Sequence, residues 1–389
     1  MSKNHFETDA VRTQLDRTEF LEHSVPLYLT SSFVFEDAED MRASFSEEKQ
    51  RNIYSRFTNP NTSEFVEKIC KMEGAEAGYA FATGMAAVFS TFAALLDSGD
   101  HIVSARSVFG STHTLFTKYL PKWNIETSYF KVDEVEGIEN LIQPNTKILF
   151  AESPTNPAVD VLDLEQLGTI AKKHNLILVV DNCFATPYLQ KPIGFGADIV
   201  IHSATKLIDG QGRVLGGVAV GREDLVREIY LFSRNTGPAM SPFNAWVLSK
   251  SLETLAVRVE KHCENAAKLA DYLESHERVN FVKYPFLKSH PQYEVARKQM
   301  KLGGNIVAFE VKGGVESGRK FLNNIKLCSL SANLGDTRTI VTHPASTTHS
   351  KLSEEDRLQV GISDGLVRVS VGLEHIDDVI NDISQALSS

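Results

Sequence analysis

Between about residues 60 and 235 the chain alternates helical and strand-like patterns, and that alternation limits what it can fold into. Apolar residues recur with helical spacing over 63–72, 85–96 and 164–174. Short strand-like runs fall among them, at 101–104, 146–151 and 176–180. Alternating helix and strand predict a mostly parallel sheet covered on both faces. Residues 1–53 are mixed in character and read as an irregular N-terminal arm. A large domain over 54–245 follows, then a smaller α+β domain over 246–389. The passage between them is marked by helical stretches at 242–251 and 255–274. Strands are expected at 305–311 and 366–371, and helices at 315–323 and 376–387. No internal repeat or low-complexity segment is present.

Two of the strand-like runs end on reactive groups. The run 176–180 ends in Asp181-Asn182, and Asp198-Ile-Val-Ile-His202 delivers Ser203-Ala-Thr-Lys206. An amine able to form a Schiff base and an acid able to keep a pyridinium nitrogen protonated are what a pyridoxal-phosphate (PLP) site needs from a protein. The hydroxyls of Ser203 and Thr205 suit the cofactor phosphate. Each feature alone has an ordinary alternative: strands of α/β proteins often end in Asp, and a lone Lys is usually a solvated surface group.

Three further segments fit the same site. Ala82-Thr-Gly84-Met85 opens the helix expected over 85–96, and a helix start with small residues favours a phosphate. Ser153-Pro-Thr-Asn156-Pro157 is a loop stiffened by two prolines around an amide. Tyr54-Ser-Arg56 sets a phenol and a guanidinium on one face of an extended segment, and a guanidinium matches a phosphate. Separately these read as a capped helix, a turn and a surface pair; their joint presence and order give them weight.

Composition narrows the classes. The 389 residues carry a formal net charge of -10 and no basic block, which argues against nucleic acid as a partner. No apolar stretch approaches the roughly 20 residues of a membrane helix. The N-terminus has no apolar signal core. The four cysteines are scattered without a Cys-x-x-Cys pair, as in reduced intracellular proteins, so a cytoplasmic location is expected. Cys183 reads as a small residue near the site rather than a nucleophile. The histidines show no metal-ligand spacing.

From about Ser24 onward the sequence resembles the Cys/Met-metabolism PLP enzymes: cystathionine γ-synthase, the cystathionine lyases, methionine γ-lyase and the homoserine-ester sulfhydrylases. The resemblance rests on the segments quoted above together with Pro344–His349 and Arg368-Val-Ser-Val-Gly372. It implies an α/β PLP-dependent transferase of fold type I, aspartate-aminotransferase-like, with the two domains described. It implies that Lys206 carries PLP and later moves protons, and that Asp181 pairs with the pyridinium nitrogen. It puts Gly84, Met85, Ser203 and Thr205 on the phosphate, Phe109 against the ring and Asn156 near the phenolic oxygen. Asn333, Thr348 and Arg368 fall to the substrate, Arg368 taking its α-carboxylate. Tyr54 and Arg56 complete the phosphate site of a neighbouring subunit in a homotetramer built as a dimer of dimers.

Departures from the family pattern point to a member. Where most relatives stack a tyrosine on the ring, this chain has Phe109, which stacks but has no hydroxyl to move a proton. Five residues on, where cystathionine-handling members have an Arg, stands Thr114; a lost charge-assisted bond costs roughly 1.5–3 kcal/mol. Ser111 replaces a Cys of the methionine γ-lyases, and Asn333-Leu-Gly-Asp336 looks like the sulfhydrylases. The pattern resembles O-succinylhomoserine sulfhydrylases most, which implies replacement of succinate by sulfide to give homocysteine. O-acetylhomoserine sulfhydrylase, cystathionine γ-synthase, a C–S lyase and a PLP-binding scaffold remain as alternatives. A succinyl carboxylate needs a cation, for which Arg106 and Arg234 are candidates.

Overall fold

The computed structural model describes residues 4–348, 350, 353–359 and 361–388. His349 of the motif above and the first three residues lie outside them. Seven strands form the large sheet: β1 Ala77–Phe81, β2 His101–Ala105, β3 Glu126–Phe130, β4 Thr146–Glu152, β5 Ile177–Asp181, β6 Ile199–His202 and β7 Gly217–Gly221. Their order is β1-β7-β6-β5-β4-β2-β3. β6, β5, β4, β2 and β3 run parallel, and β7 is antiparallel to both its neighbours. The sheet is the mostly parallel one that the alternation predicts.

β1, β3 and β7 are strands that the pattern does not announce. For β1 and β7 the reason is steric. Ala77-Gly-Tyr-Ala-Phe81 and Gly217-Val-Ala-Val-Gly221 are rich in small residues, which weaken a strand signal. The small residues are needed for close approach: a Cβ on Gly217 would lie 2.2 Å from the carbonyl oxygen of Thr83. That contact brings β7 against the start of the Gly84–Leu95 helix. Thr83 caps this helix, its hydroxyl accepting from the Ala86 N–H at 3.0 Å. The Leu164–His174 helix has the bounds the sequence suggests, set by the Asp163 cap and by Asn175 in the left-handed region.

A second sheet, with β8 Val279–Lys283, β9 Ile306–Val311, β10 Ser329–Leu330, β11 Ile340–Thr342 and β12 Leu366–Ser370, has the order β10-β11-β12-β9-β8. It is antiparallel except between β10 and β11. The Leu255–Glu274 helix joins the two parts. Leu255, Val259 and Cys263 pack in the core of the large sheet, whereas Ala266, Leu269 and Leu273 pack in that of the small one. One rigid helix therefore fixes β12 relative to the ends of β4, β5 and β6. The arm carries two short helices, Phe6–Arg12 and Ala38–Phe45, where the composition reads as irregular. Between them Phe20 and Val34 are 82% and 88% exposed. Among the described residues no helix is long and apolar enough to cross a membrane.

Candidate active site

The parallel strands end side by side on three titratable residues: Glu152 on β4, Asp181 on β5 and His202 on β6. Ligands of open α/β sheets bind beyond such carboxyl ends. A cavity of about 570 Å³ opens there, and Gly84, Met85, Phe109, Asn156, Asp181, Ser203, Lys206, Thr348 and Arg368 all line it. These residues lie up to 284 positions apart (368 − 84) in the chain, and the sheet brings them to one place.

Lys206 is partly buried, and its Nζ donates to Asn333 Oδ1 at 2.6 Å. Burial pulls its amine below the usual lysine range, with the Arg368 guanidinium adding to this and Cys183 opposing it. A lowered amine is a better nucleophile near neutral pH. Asp181 accepts from the Cys183 N–H at 3.0 Å. Burial pushes its carboxyl up to about 6, against the pull of that N–H and of His202. No ion pair involves it among the described residues. A cationic ring N–H placed before it would supply the missing partner, so this carboxyl fits a pyridinium.

Arg368, on β12, is 5% exposed. Its Nη1 donates to Asn156 Oδ1 and its Nη2 to the Asn333 carbonyl, both at 2.9 Å. Its Nε has no partner among the described residues. Burial lowers it to about 10. A dry guanidinium held by neutral acceptors is short of negative charge, and a carboxylate would supply it.

The phosphate end is a cradle. The first amides of the Gly84–Leu95 helix have no intrahelical acceptors, and the Thr83 hydroxyl caps Ala86 alone. A Cβ on Gly84 would lie 2.5 Å from Ser203 Cβ and 2.9 Å from Ser203 Cα. Gly84→Ala must therefore displace the Ser203 turn at a cost of about 1–3 kcal/mol. We expect weaker PLP retention, measured as PLP per chain after gel filtration against buffer without cofactor. Wild-type retention would remove this helix start from the phosphate site.

The remaining sequence candidates sit differently. Thr205 does not line the cavity: its hydroxyl donates to the Gly216 carbonyl at 3.3 Å and accepts from the Gly216 N–H at 3.1 Å. Asn333 reaches the cavity through its bonds to Lys206 and Arg368. Tyr54 and Arg56 are away from the cavity of their own chain; Arg56 lies 5.2 Å from the Tyr54 ring and donates to the Arg234 carbonyl. Arg106 lies 5.7 Å from the Tyr129 ring, and Arg234 pairs with Glu47. Neither lines the cavity. Cys183 does, its thiol pushed well up by burial and by Asp181, as befits an inert side chain.

Glu152 is the site residue that sequence reasoning missed. Its Oε2 accepts from the Phe109 N–H at 2.6 Å and its Oε1 from the Asn156 N–H at 3.2 Å. Burial and the facing Asp181 raise its carboxyl well above the usual range, and the two N–H donors pull the other way. The signal was present: an acid ending an apolar strand, the same pattern that singles out Asp181. The small domain pins the loop beyond it. Val159, in the left-handed region at φ 59°, has its carbonyl 3.2 Å from His290 Nε2, and Lys283 pairs with Asp160 at 2.7 Å.

The profile of the Cys/Met metabolism PLP-dependent enzymes matches residues 7–388. An O-succinylhomoserine sulfhydrylase of Pseudomonas aeruginosa is 46% identical over 99% of this chain and 95% of its own. An L-methionine gamma-lyase of Fusobacterium nucleatum subsp. nucleatum is 41% identical over 100% and 99%. Among solved structures, a Campylobacter jejuni protein assigned as an O-acetylhomoserine (thiol)-lyase superposes with a TM-score of 0.96 at 35% identity, covering 99% of this chain and 100% of its own. It carries a pyridoxyl-lysine monophosphate. Fold and site thus define a PLP-dependent enzyme of the aspartate-aminotransferase-like fold type I. The chain belongs to the Cys/Met metabolism PLP-dependent enzymes.

Proposed function

We propose that the enzyme replaces the γ-acyloxy group of O-succinylhomoserine by sulfide, giving homocysteine and succinate. The observation that carries this reading is the wall Phe109–Thr114. All six residues line the cavity, and they include no phenol and no Lys or Arg. A second amino acid such as cysteine would bring a further carboxylate, for which this wall offers no Lys or Arg, whereas sulfide brings none. The relatives named O-succinylhomoserine sulfhydrylase, from Pseudomonas aeruginosa and Mycobacterium tuberculosis, support the same reading.

When bound, PLP supplies an electron sink for carbanions at the substrate's carbons. Lys206 holds it and, once displaced, takes the α-proton as a general base. Asp181 keeps the ring nitrogen protonated. Arg368 holds the α-carboxylate, and Asn156, Asn333 and Thr348 orient substrate and cofactor. Gly84, Met85 and Ser203 seat the phosphate, while Thr205, its hydroxyl bonded to Gly216, supports the turn behind them. Tyr54 and Arg56 act in the cavity of a neighbouring subunit, which accounts for their place outside their own. The exposed apolar arm supports burial against other subunits of a homotetramer. Among the described residues lining the cavity of one chain, Lys206 and Arg368 are the only Lys or Arg, so we infer that a succinyl carboxylate is met from the neighbour.

The second reading is C–S bond elimination, favoured by methionine gamma-lyases at 41–44% identity. It asks for help in protonating a thiolate, and Phe109 offers none. The deciding assay measures homocysteine from sulfide with O-succinylhomoserine and O-acetylhomoserine, with cysteine as a parallel thiol, and oxoacid release from methionine. Fastest turnover with the succinyl ester and sulfide is expected. Acetyl preference would change the leaving group alone. Faster reaction with cysteine would make cystathionine the product, and dominant oxoacid release would establish a lyase.

A further inference from the structure

Glu152 lines the cavity but has no counterpart in the roles assigned above. Its two oxygens are divided between two loops. One loop carries Phe109, at the start of the short Gly110–Thr114 helix; the other carries Asn156. Asn156 in turn accepts from Arg368, Arg368 donates to the Asn333 carbonyl, and the Asn333 side chain accepts from Lys206. A continuous chain of hydrogen bonds therefore runs from the ring-facing wall around the cavity to the catalytic amine, and Glu152 is the link that joins the wall to the rest. Among the described residues no other hydrogen bond ties the Phe109 amide to the strand ends.

We propose that Glu152 is a positioning residue: one carboxyl group straps the Phe109 wall to the Asn156 loop and so sets the tilt of the cofactor ring against Asn156 and Arg368. The strap is anchored at the end of β4, in register with Asp181 on β5, so wall and pyridine-nitrogen partner share one rigid edge. The groups acting on Glu152 are Asp181 and the two N–H donors, and Lys206 and Arg368 line the same cavity. Only Asp181 bears an acid. Burying a second carboxyl beside it is costly, and a purely structural acceptor for two amides would not require an acid there.

This inference rests on the PLP site and not on the choice of homoserine ester. Two variants separate its parts. Glu152→Ala removes both acceptors. Glu152→Gln keeps an acceptor for the Phe109 N–H but turns a donor toward the Asn156 N–H. The holoenzymes are compared by PLP content, thermal midpoint, visible circular dichroism of the bound cofactor, and kcat against KM with whichever ester the wild type prefers. We expect Glu152→Ala to weaken the cofactor's dichroic band and to lower kcat per bound PLP about 10- to 100-fold, with KM changing far less. Glu152→Gln should keep the band and lose part of kcat. A Glu152→Ala holoenzyme with wild-type dichroism and wild-type kcat per bound PLP would overturn the proposal, even if its thermal midpoint fell. So would equal dichroic loss in both variants. The dichroic readout stands even if no homoserine ester is turned over.

Discussion

Lys206→Ala is expected to lower turnover by at least about 10³-fold, because one amine performs two jobs. We propose it as the covalent anchor of the cofactor and, once displaced, as the base at Cα. General base catalysis alone contributes about 10²–10⁴-fold. The position suits both jobs. Lys206 follows β6 on a turn whose amide donates back to Ser203, and its Nζ is steered by Asn333 at 2.6 Å. Burial lowers its proton affinity, so a larger share of neutral amine is ready to react near neutral pH. Borohydride reduction followed by peptide mass mapping checks the anchor directly. The pyridoxyl label should appear on the peptide containing Lys206 in the wild type and on no other lysine in the variant. Turnover within tenfold of wild type, or a label on a second lysine, would refute the assignment.

Chemistry-bearing residues were legible where they ended an apolar run. Asp181 and Lys206 announce themselves because parallel strands are buried on both faces, and a polar residue at their carboxyl end stands out against them. Glu152 carried the same mark but was hidden by the loop after it, whose prolines drew attention to Asn156. β1 and β7 were illegible for a different reason. Their glycines serve the close approach of Thr83 and the Gly84 helix, a tertiary demand that erases the local strand signal. Tyr54 and Arg56 show the limit of a single chain. Their motif marks them as site residues, yet they lie outside the cavity of their own chain, and the use we propose for them calls on a second subunit that one sequence does not describe. Arg368 lay between these cases. The Arg-Val-Ser-Val-Gly segment places it on a strand, but only the second sheet, held by the Leu255–Glu274 helix, brings it to Asn156.

Away from the cavity, Lys68→Met is expected to destabilise the fold by about 3–5 kcal/mol. Lys68 is 0% exposed, on the Pro60–Glu73 helix, one turn from Glu64, which is itself 2% exposed. Their charged groups are 3.2 Å apart, with Glu253 at 3.5 Å and the Ser249 carbonyl accepting from Lys68 at 3.2 Å. Glu64 also accepts from the Ser249 hydroxyl at 2.6 Å and from the Leu15 amide at 3.2 Å. One ion pair thus docks two helices, Pro60–Glu73 and Pro242–Leu252, and a point on the arm. Removing the lysine leaves a buried carboxylate without its counter-charge, which costs more than the attraction lost. Lys68→Met combined with Glu64→Gln removes both charges and keeps an acceptor for the arm, so it should regain most of the thermal midpoint lost by the single change. Differential scanning fluorimetry of holoenzyme with excess PLP reads both. An unchanged midpoint in the single variant, or a double variant no better than the single, would show that the pair is not what holds these helices. If the pair does hold them, the loss should reach the site as well, because the same helix ends at Glu73, whose carboxylate accepts from Asn182 at 2.9 Å and lies 2.6 Å from His202. Those two residues flank Asp181 and Ser203 in the sequence, so a loosened Pro60–Glu73 helix should release PLP before the protein unfolds globally.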